Sequence, residues 1–267
     1  MSGRVVHETG AAPMRALLSP FGIGMSKHVN LSHSAVNRKH KGEELSMTVS
    51  SNVGAGTPLL VLADAAMLTC QAALDADVDG LAPPPAEMLE MLHDDTAQLD
   101  EMYLAYYLSQ RYYTKPNDWY AHQLDLCSTA RSNSIDVRPA CALWERAARE
   151  YVSAPQSVFL AALRYVRASS FFKPAAAAVD AGAPSPPAAL AVAPVLDVLL
   201  RNGGKANVSL MACTAKDVAE KYLSEDLRGV RQALLSKDDA CAYWALLARG
   251  DLPVGSTVSV SSQNLFT

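Results

Sequence analysis

The chain has 267 residues, 50% of them apolar and 19% charged, a composition that excludes a globally disordered chain and asks for extensive burial. Its 14 glycines and 15 prolines exclude collagen-like and low-complexity classes, and a net charge of −4 argues against a broadly cationic nucleic-acid binder. The longest apolar runs, 59–74 interrupted by Asp64 and 187–200 interrupted by Asp197, fall short of the roughly 18 uninterrupted residues of a membrane span. The N-terminus lacks a charged region followed by an apolar one, so no secretory signal is expected. Five cysteines without paired spacing fit free thiols in a reducing interior, in a cell or within a virus particle.

Charge is segregated along the chain. Residues 1–57 hold six Lys/Arg against three acids and four of the six histidines. Residues 58–110 hold ten acids and no Lys or Arg, and residues 111–173 hold nine Lys/Arg against five acids. Blocks of opposite sign attract each other, within a molecule or between neighbours, and an open basic face attracts polyanions.

In chain order, residues 1–56 show weak periodicity and read as a basic arm with one short alternating strand, 44–50. Thr57 as cap and Pro58 at the first helical position then predict an apolar helix over about 58–75. A breaker follows, and leucines and aromatics spaced mostly by three or four predict a helix over about 85–113. Helices are expected over about 116–130, 138–152 and 154–172, the last with Ser153 as cap and Pro155 in its first turn. The Pro/Ala-rich stretch 174–189 reads as a linker or exposed loop. Beyond it, helix 190–201 stops at Gly203-Gly204, and Thr214 and Asp217 form a capping-box pattern before a helix to about Tyr222. Helices 225–235 and 238–249 precede a tail, 251–267, whose small polar and β-branched residues suit an extended arm or an added strand. The expected fold is all-α: a helical core lobe (57–173) and a C-terminal helical lobe (190–250) between extended N- and C-terminal arms, with at most a few short strands.

Most chemical motifs are incomplete. The turn Gly54-Ala55-Gly56-Thr57-Pro58 before a helix offers amides to a phosphate but lacks the third glycine or the lysine of known fingerprints. His93-Asp94-Asp95 is similar to the His-Asp pair of helical metal-dependent phosphohydrolases, without the other ligands in recognisable places. Cys70, Cys127, Cys141, Cys213 and Cys241 are too scattered for a metal site and read as small core residues. His28, His33 and His40 add pH-dependent charge to the arm, and Cys127 with His122 is a nucleophile pair without an oxyanion site. Neither a metal nor a cofactor is expected.

The richest region is 111–173, where arginines interleave with aromatics. Arg146 and Arg149, like Arg164 and Arg167, share a helix face. Arginine forks to phosphate and stacks on bases, so a groove of this kind holds single strands without reading sequence. The function expected on this basis is non-enzymatic: a self-assembling structural protein that coats single-stranded nucleic acid, RNA in the first instance, with the organisation of viral nucleocapsid and filament coat proteins. Arg131, Arg138, Arg146, Arg149, Arg164 and Arg167 would neutralise phosphates, and Tyr112, Tyr113 and Tyr165 would stack. The arms and the acidic 58–110 block would join subunits, with no membrane partner. The alternatives are a non-catalytic helical adaptor and, further off, a metal-dependent phosphohydrolase centred on His93 and Asp94.

Overall fold

The computed structural model describes residues 17–35, 43–75, 96–129, 154–174, 188–202, 205–218, 220, 243–261 and 265–266. In chain order they form β1 (Ile23–Met25), β2 (Val29–Ala35), β3 (Glu43–Val49), β4 (Pro58–Ala63), β5 (Leu68–Thr69), α1 (Cys70–Asp75), α2 (Thr96–Thr114), α3 (Trp119–Thr129), α4 (Gln156–Ser169), β6 (Phe171–Lys173), β7 (Ala189–Val192), α5 (Leu196–Asn202), β8 (Val208–Cys213), α6 (Ala215–Asp217) and β9 (Tyr243–Ala248). The chain divides into two compact units, one of residues 1–34, 45–66 and 202–267, the other of 35–44 and 67–201. No helix among the described residues is long and apolar enough to cross a membrane.

The all-α expectation is corrected: the fold is mixed α/β, with sheets ordered β1-β4-β9-β8, β2-β3 and β5-β7-β6. The first unit is mostly sheet. Its centre is β4, read from sequence as the start of a helix, which pairs antiparallel with β1 (Gly24 opposite Val61) and with β9 (Val61 opposite Ala245). Leu59, Leu60, Val61, Leu62 and Ala63 are all buried. A strand covered on both faces reads as an unbroken apolar run, and such a run carries no period that separates it from a buried helix. The same holds for β9, expected as helix 238–249, in which Tyr243, Trp244, Ala245, Leu246 and Ala248 are buried.

The turn before β4 is no phosphate cradle, because a strand and not a helix follows it. Gly56 supplies a φ of +78°, which glycine adopts without strain. Its amide donates to the Ala248 carbonyl at 2.8 Å, and the Ala55 amide donates to Asp251 Oδ1 at 3.1 Å.

The arms are corrected as well. In the N-terminal segment Leu18, Ile23, Val29, Leu31, Leu45, Met47 and Val49 are core residues. The tail bonds to its own chain through isolated bridges: the Val258 amide donates to the Met47 carbonyl and the Gly255 amide to the Val49 carbonyl, both at 2.8 Å. Further on, the Leu210 amide donates to the Leu265 carbonyl at 2.7 Å, so the chain end covers the outer edge of β8, and Phe266 packs edge-on against Trp244 at 4.9 Å.

The capping box is present. The Asp217 amide donates to Thr214 Oγ1 and the Thr214 amide to Asp217 Oδ2, each at 3.1 Å. Thr214→Ala is expected to cost about 1 kcal/mol, the usual value of a lost cap, read as a lower urea midpoint with unchanged slope.

The second unit is helical, with α2 packed on α4 and α3 on both, and carries the small sheet β5-β7-β6. Two stretches differ from expectation. Helix α4 is capped at Pro155 with no side-chain hydrogen bond and stops at Ser169, where the chain turns into β6. The stretch expected as helix 190–201 splits into β7 and α5. Helices expected over 138–152 and 225–235, most of the Pro/Ala stretch, and residues 76–95 lie outside the described residues.

Candidate functional site

In the sequence Asp197 stands as the lone acid of an apolar run. A carboxyl in such surroundings needs partners, and in the second unit it has them. Val195, just before α5, holds φ at +73°, a conformation that costs a β-branched residue energy and marks sites where the surroundings over-determine the backbone. Two residues on, the Asp197 side chain is completely buried. The Tyr165 hydroxyl of α4 donates to Asp197 Oδ2 at 2.8 Å, and the Trp119 indole N–H of α3 donates to the same oxygen at 3.1 Å. Arg201, one turn along α5, brings Nη2 to 3.6 Å from Oδ2.

Arg201 also ties the helices together. Its Nη2 donates to Gln123 Oε1 of α3, its Nε donates to the Asp197 carbonyl at 3.2 Å, and its Nη1 lies 3.7 Å from Cys127 Sγ. Two sealed polar atoms, Asp197 Oδ1 and Gln123 Nε2, have no hydrogen-bond partner.

Aromatic rings surround this network and hold cations on their faces. The Arg201 guanidinium lies 5.7 Å from the Tyr165 ring centroid. Arg111 lies 5.6 Å from the Tyr120 ring and 5.9 Å from the Tyr107 ring, and also pairs with Asp118. Burial raises the Asp197 carboxyl above the ordinary carboxylate range, against the opposing pull of Arg201, Tyr165 and Trp119. Burial, reinforced by Asp197, lifts the Tyr120 and Tyr165 phenols well above their usual value. The thiols are held protonated by burial, Cys127 raised and Cys70 pushed up to about 12, so neither is an activated nucleophile. Among the described residues no group of three or more His, Cys, Asp or Glu could hold a metal ion.

Of the residues singled out in the sequence, Tyr112, Tyr113, Arg164, Tyr165 and Arg167 are among the described residues. Arg131, Arg138, Arg146 and Arg149 lie outside the described residues. Arg164 is exposed, while Arg167 turns to Glu101 of α2 with Nε 2.8 Å from Oε2. Tyr165 is sealed on Asp197. Tyr112 donates its hydroxyl to Asp125 Oδ1 at 2.8 Å, and Tyr113 stands 52% exposed beside it, ring edge to ring face at 5.2 Å. The Glu101–Arg167 pair joins one acid of the acidic block to one arginine of the basic block within the molecule.

No protein-family profile and no curated protein matches the chain. The chain is similar to the crystal structure of the SET domain of LSMT bound to lysine and AdoHcy, at 11% identity and a TM-score of 0.40, over 94% of this chain and 53% of that one. It thus spans about half the length of the solved chain. A likeness this low fixes neither a fold nor the role of any residue.

The coat-protein expectation is corrected. Of its central residues Arg167 and Tyr165 are tied into the second unit, and the described parts of the arms that were to join subunits pair and pack within their own chain. The self-assembling coat, the helical adaptor built on the same charge blocks and the non-enzymatic assignment that went with both are withdrawn. The phosphohydrolase alternative has its pair, His93 and Asp94, outside the described residues, and no described cluster supplies its metal.

Proposed function

We propose that this chain acts on a cationic amine of the lysine kind, as acceptor of a methyl group from a sulfonium donor of the S-adenosylmethionine class. The observation that carries the reading is the cation chemistry of the helical unit, where tyrosine rings hold guanidinium groups at 5.6 to 5.9 Å beside a sealed carboxyl. Both partners of such a transfer arrive as cations, the sulfonium by its fixed charge and the lysine by its proton. Ring faces attract cations by about 0.5–2 kcal/mol without accepting their protons. A dry surround also lowers the pKa of an amine and so favours its neutral, nucleophilic form. The sulfonium is already activated and its thioether leaves unassisted, so the transfer asks the protein chiefly for alignment.

The described ring seats are filled by the chain's own arginines. At the accessible end of α2, Tyr113 and its edge-on neighbour Tyr112 are the rings a lysine of another protein would meet. The lysine and AdoHcy of the solved SET-domain structure are an acceptor and a spent donor of the same chemistry. They name the compounds to test and assign no residue.

The test is calorimetric titration of the full chain with S-adenosylmethionine and AdoHcy, followed by incubation with methyl-labelled donor and a lysine-bearing peptide. Saturable binding of both nucleosides and label on lysine Nζ are expected, with KM for the peptide raised several-fold in Tyr113→Ala. Absence of binding at millimolar donor, in a chain shown folded by circular dichroism, overturns the reading.

A further inference from the structure

Asp197 and Arg201 sit where α3, α4 and α5 meet, and the balance between them is unusual for an ion pair. The carboxyl is fully buried, the guanidinium side chain is 23% exposed, and the two are separated by 3.6 Å. Oδ2 accepts from Tyr165 and Trp119, while Oδ1 is sealed with no side-chain donor, and the Val198 amide is the one backbone donor that favours the charged carboxyl. The charged carboxylate is therefore well served with donors at one oxygen and short of them at the other.

We propose that Asp197 and Arg201 form a pH-sensitive clasp across the helical unit, closed while Asp197 is ionised and released when it takes up a proton. The inference stands on this network alone and is independent of the transfer reaction proposed above. In the ionised state the two donors and the guanidinium all point at one negative charge, and α5 is drawn to α3 and α4. In the protonated state Arg201 keeps its bonds to Gln123 and to the Asp197 carbonyl but loses the charge that holds it inward, and its exposed end offers a route to water.

The titratable and charged groups around the carboxyl come from each described helix packed on it. Helix α3 contributes Tyr120 and Cys127, α4 contributes Tyr165 with Arg164 reaching Cys127, and α5 contributes Arg201. Beyond Tyr120 stand Arg111 and Tyr107 of α2, with Asp118. Both phenols are held neutral by burial, which leaves Asp197 as the acid bonded to the Trp119 indole. Burial favours its protonated form, so the transition lies above the ordinary carboxylate range.

Trp119 is a built-in reporter, because its indole N–H is bonded to the titrating carboxyl. The experiment follows the indole N–H resonance of Trp119 in the full chain labelled with nitrogen-15 tryptophan, assigned by Trp119→Phe, from neutral pH down to the acid-unfolding limit set by circular dichroism. A single sigmoidal shift is expected in the native chain. It is expected to vanish in Asp197→Asn and to move upward by about one pH unit or more in Arg201→Gln, where the charge that favours ionisation is gone. A flat Trp119 resonance in the native chain, or a transition that survives in Asp197→Asn, overturns the clasp. Should Asp197→Asn fail to fold, an unmoved midpoint in Arg201→Gln overturns it equally.

Discussion

Leu59→Ala, Leu60→Ala and Leu62→Ala are each expected to destabilise the first unit by about 2–5 kcal/mol, the range for truncating a buried leucine in a core that only partly closes around the cavity. The pattern matters as much as the size. A surface helix over these residues would turn at least one of three such close neighbours toward solvent, and that variant would cost little. A central strand with both faces covered spares none, nor would a helix buried all round, so the pattern tests burial on every side. All three leucines are fully buried and β4 lies between β1 and β9, so three large losses in urea unfolding are the result consistent with β4. Val254→Ala, at a site 62% exposed, serves as the control and is expected to stay within about 0.5 kcal/mol. A loss below about 1 kcal/mol at Leu60 would show that it does not lie in a packed central strand.

Arg201→Met is expected to cost about 3–5 kcal/mol at neutral pH, the range for removing one partner of a buried ion pair and leaving the other uncompensated. The methionine replaces most of the apolar stem, so the loss reports the missing charge and its hydrogen bonds more than missing volume. Its pH dependence has a definite sign. The folded carboxyl of Asp197 is raised above its unfolded value of 3.8. Its contribution to stability is therefore fully present below that value and is lost as pH rises through the folded transition. Removing Arg201 raises the folded value further and extends this loss to higher pH. The gap between native and variant is thus widest near neutrality and closes in acid, where both carry a neutral Asp197. Chemical unfolding at a series of pH values checks this, and a gap independent of pH would show that Arg201 acts by packing alone.

Alternation and local hydrogen bonding were legible without coordinates. Strand β3 follows from the apolar residues Leu45, Met47 and Val49 at every second position, all of them buried. The Thr214–Asp217 box, the helix ending at Thr114 and the helix begun just after Pro116 rest on contacts within one or two turns, which spacing encodes directly. Strands β4 and β9 were not legible, because each is apolar at nearly every position and their leucines and alanines are also good helix formers. What makes them strands is that each has a strand on both sides and cover on both faces, and that cover comes from residues remote in the chain.

Charge segregation was equally plain in the sequence, and it left open whether the blocks would meet inside one molecule or between two. Glu101 and Arg167 meet within the second unit, at 2.8 Å. The candidate site was the least visible part. Composition and order determined that Asp197 is a single acid in an otherwise apolar run, and hence that it must be satisfied, since an isolated charge is too costly to bury. Only the tertiary structure decided how. Trp119 and Tyr165 stand 78 and 32 residues away along the chain, and no local pattern records a hydrogen bond that exists only once three helices have packed.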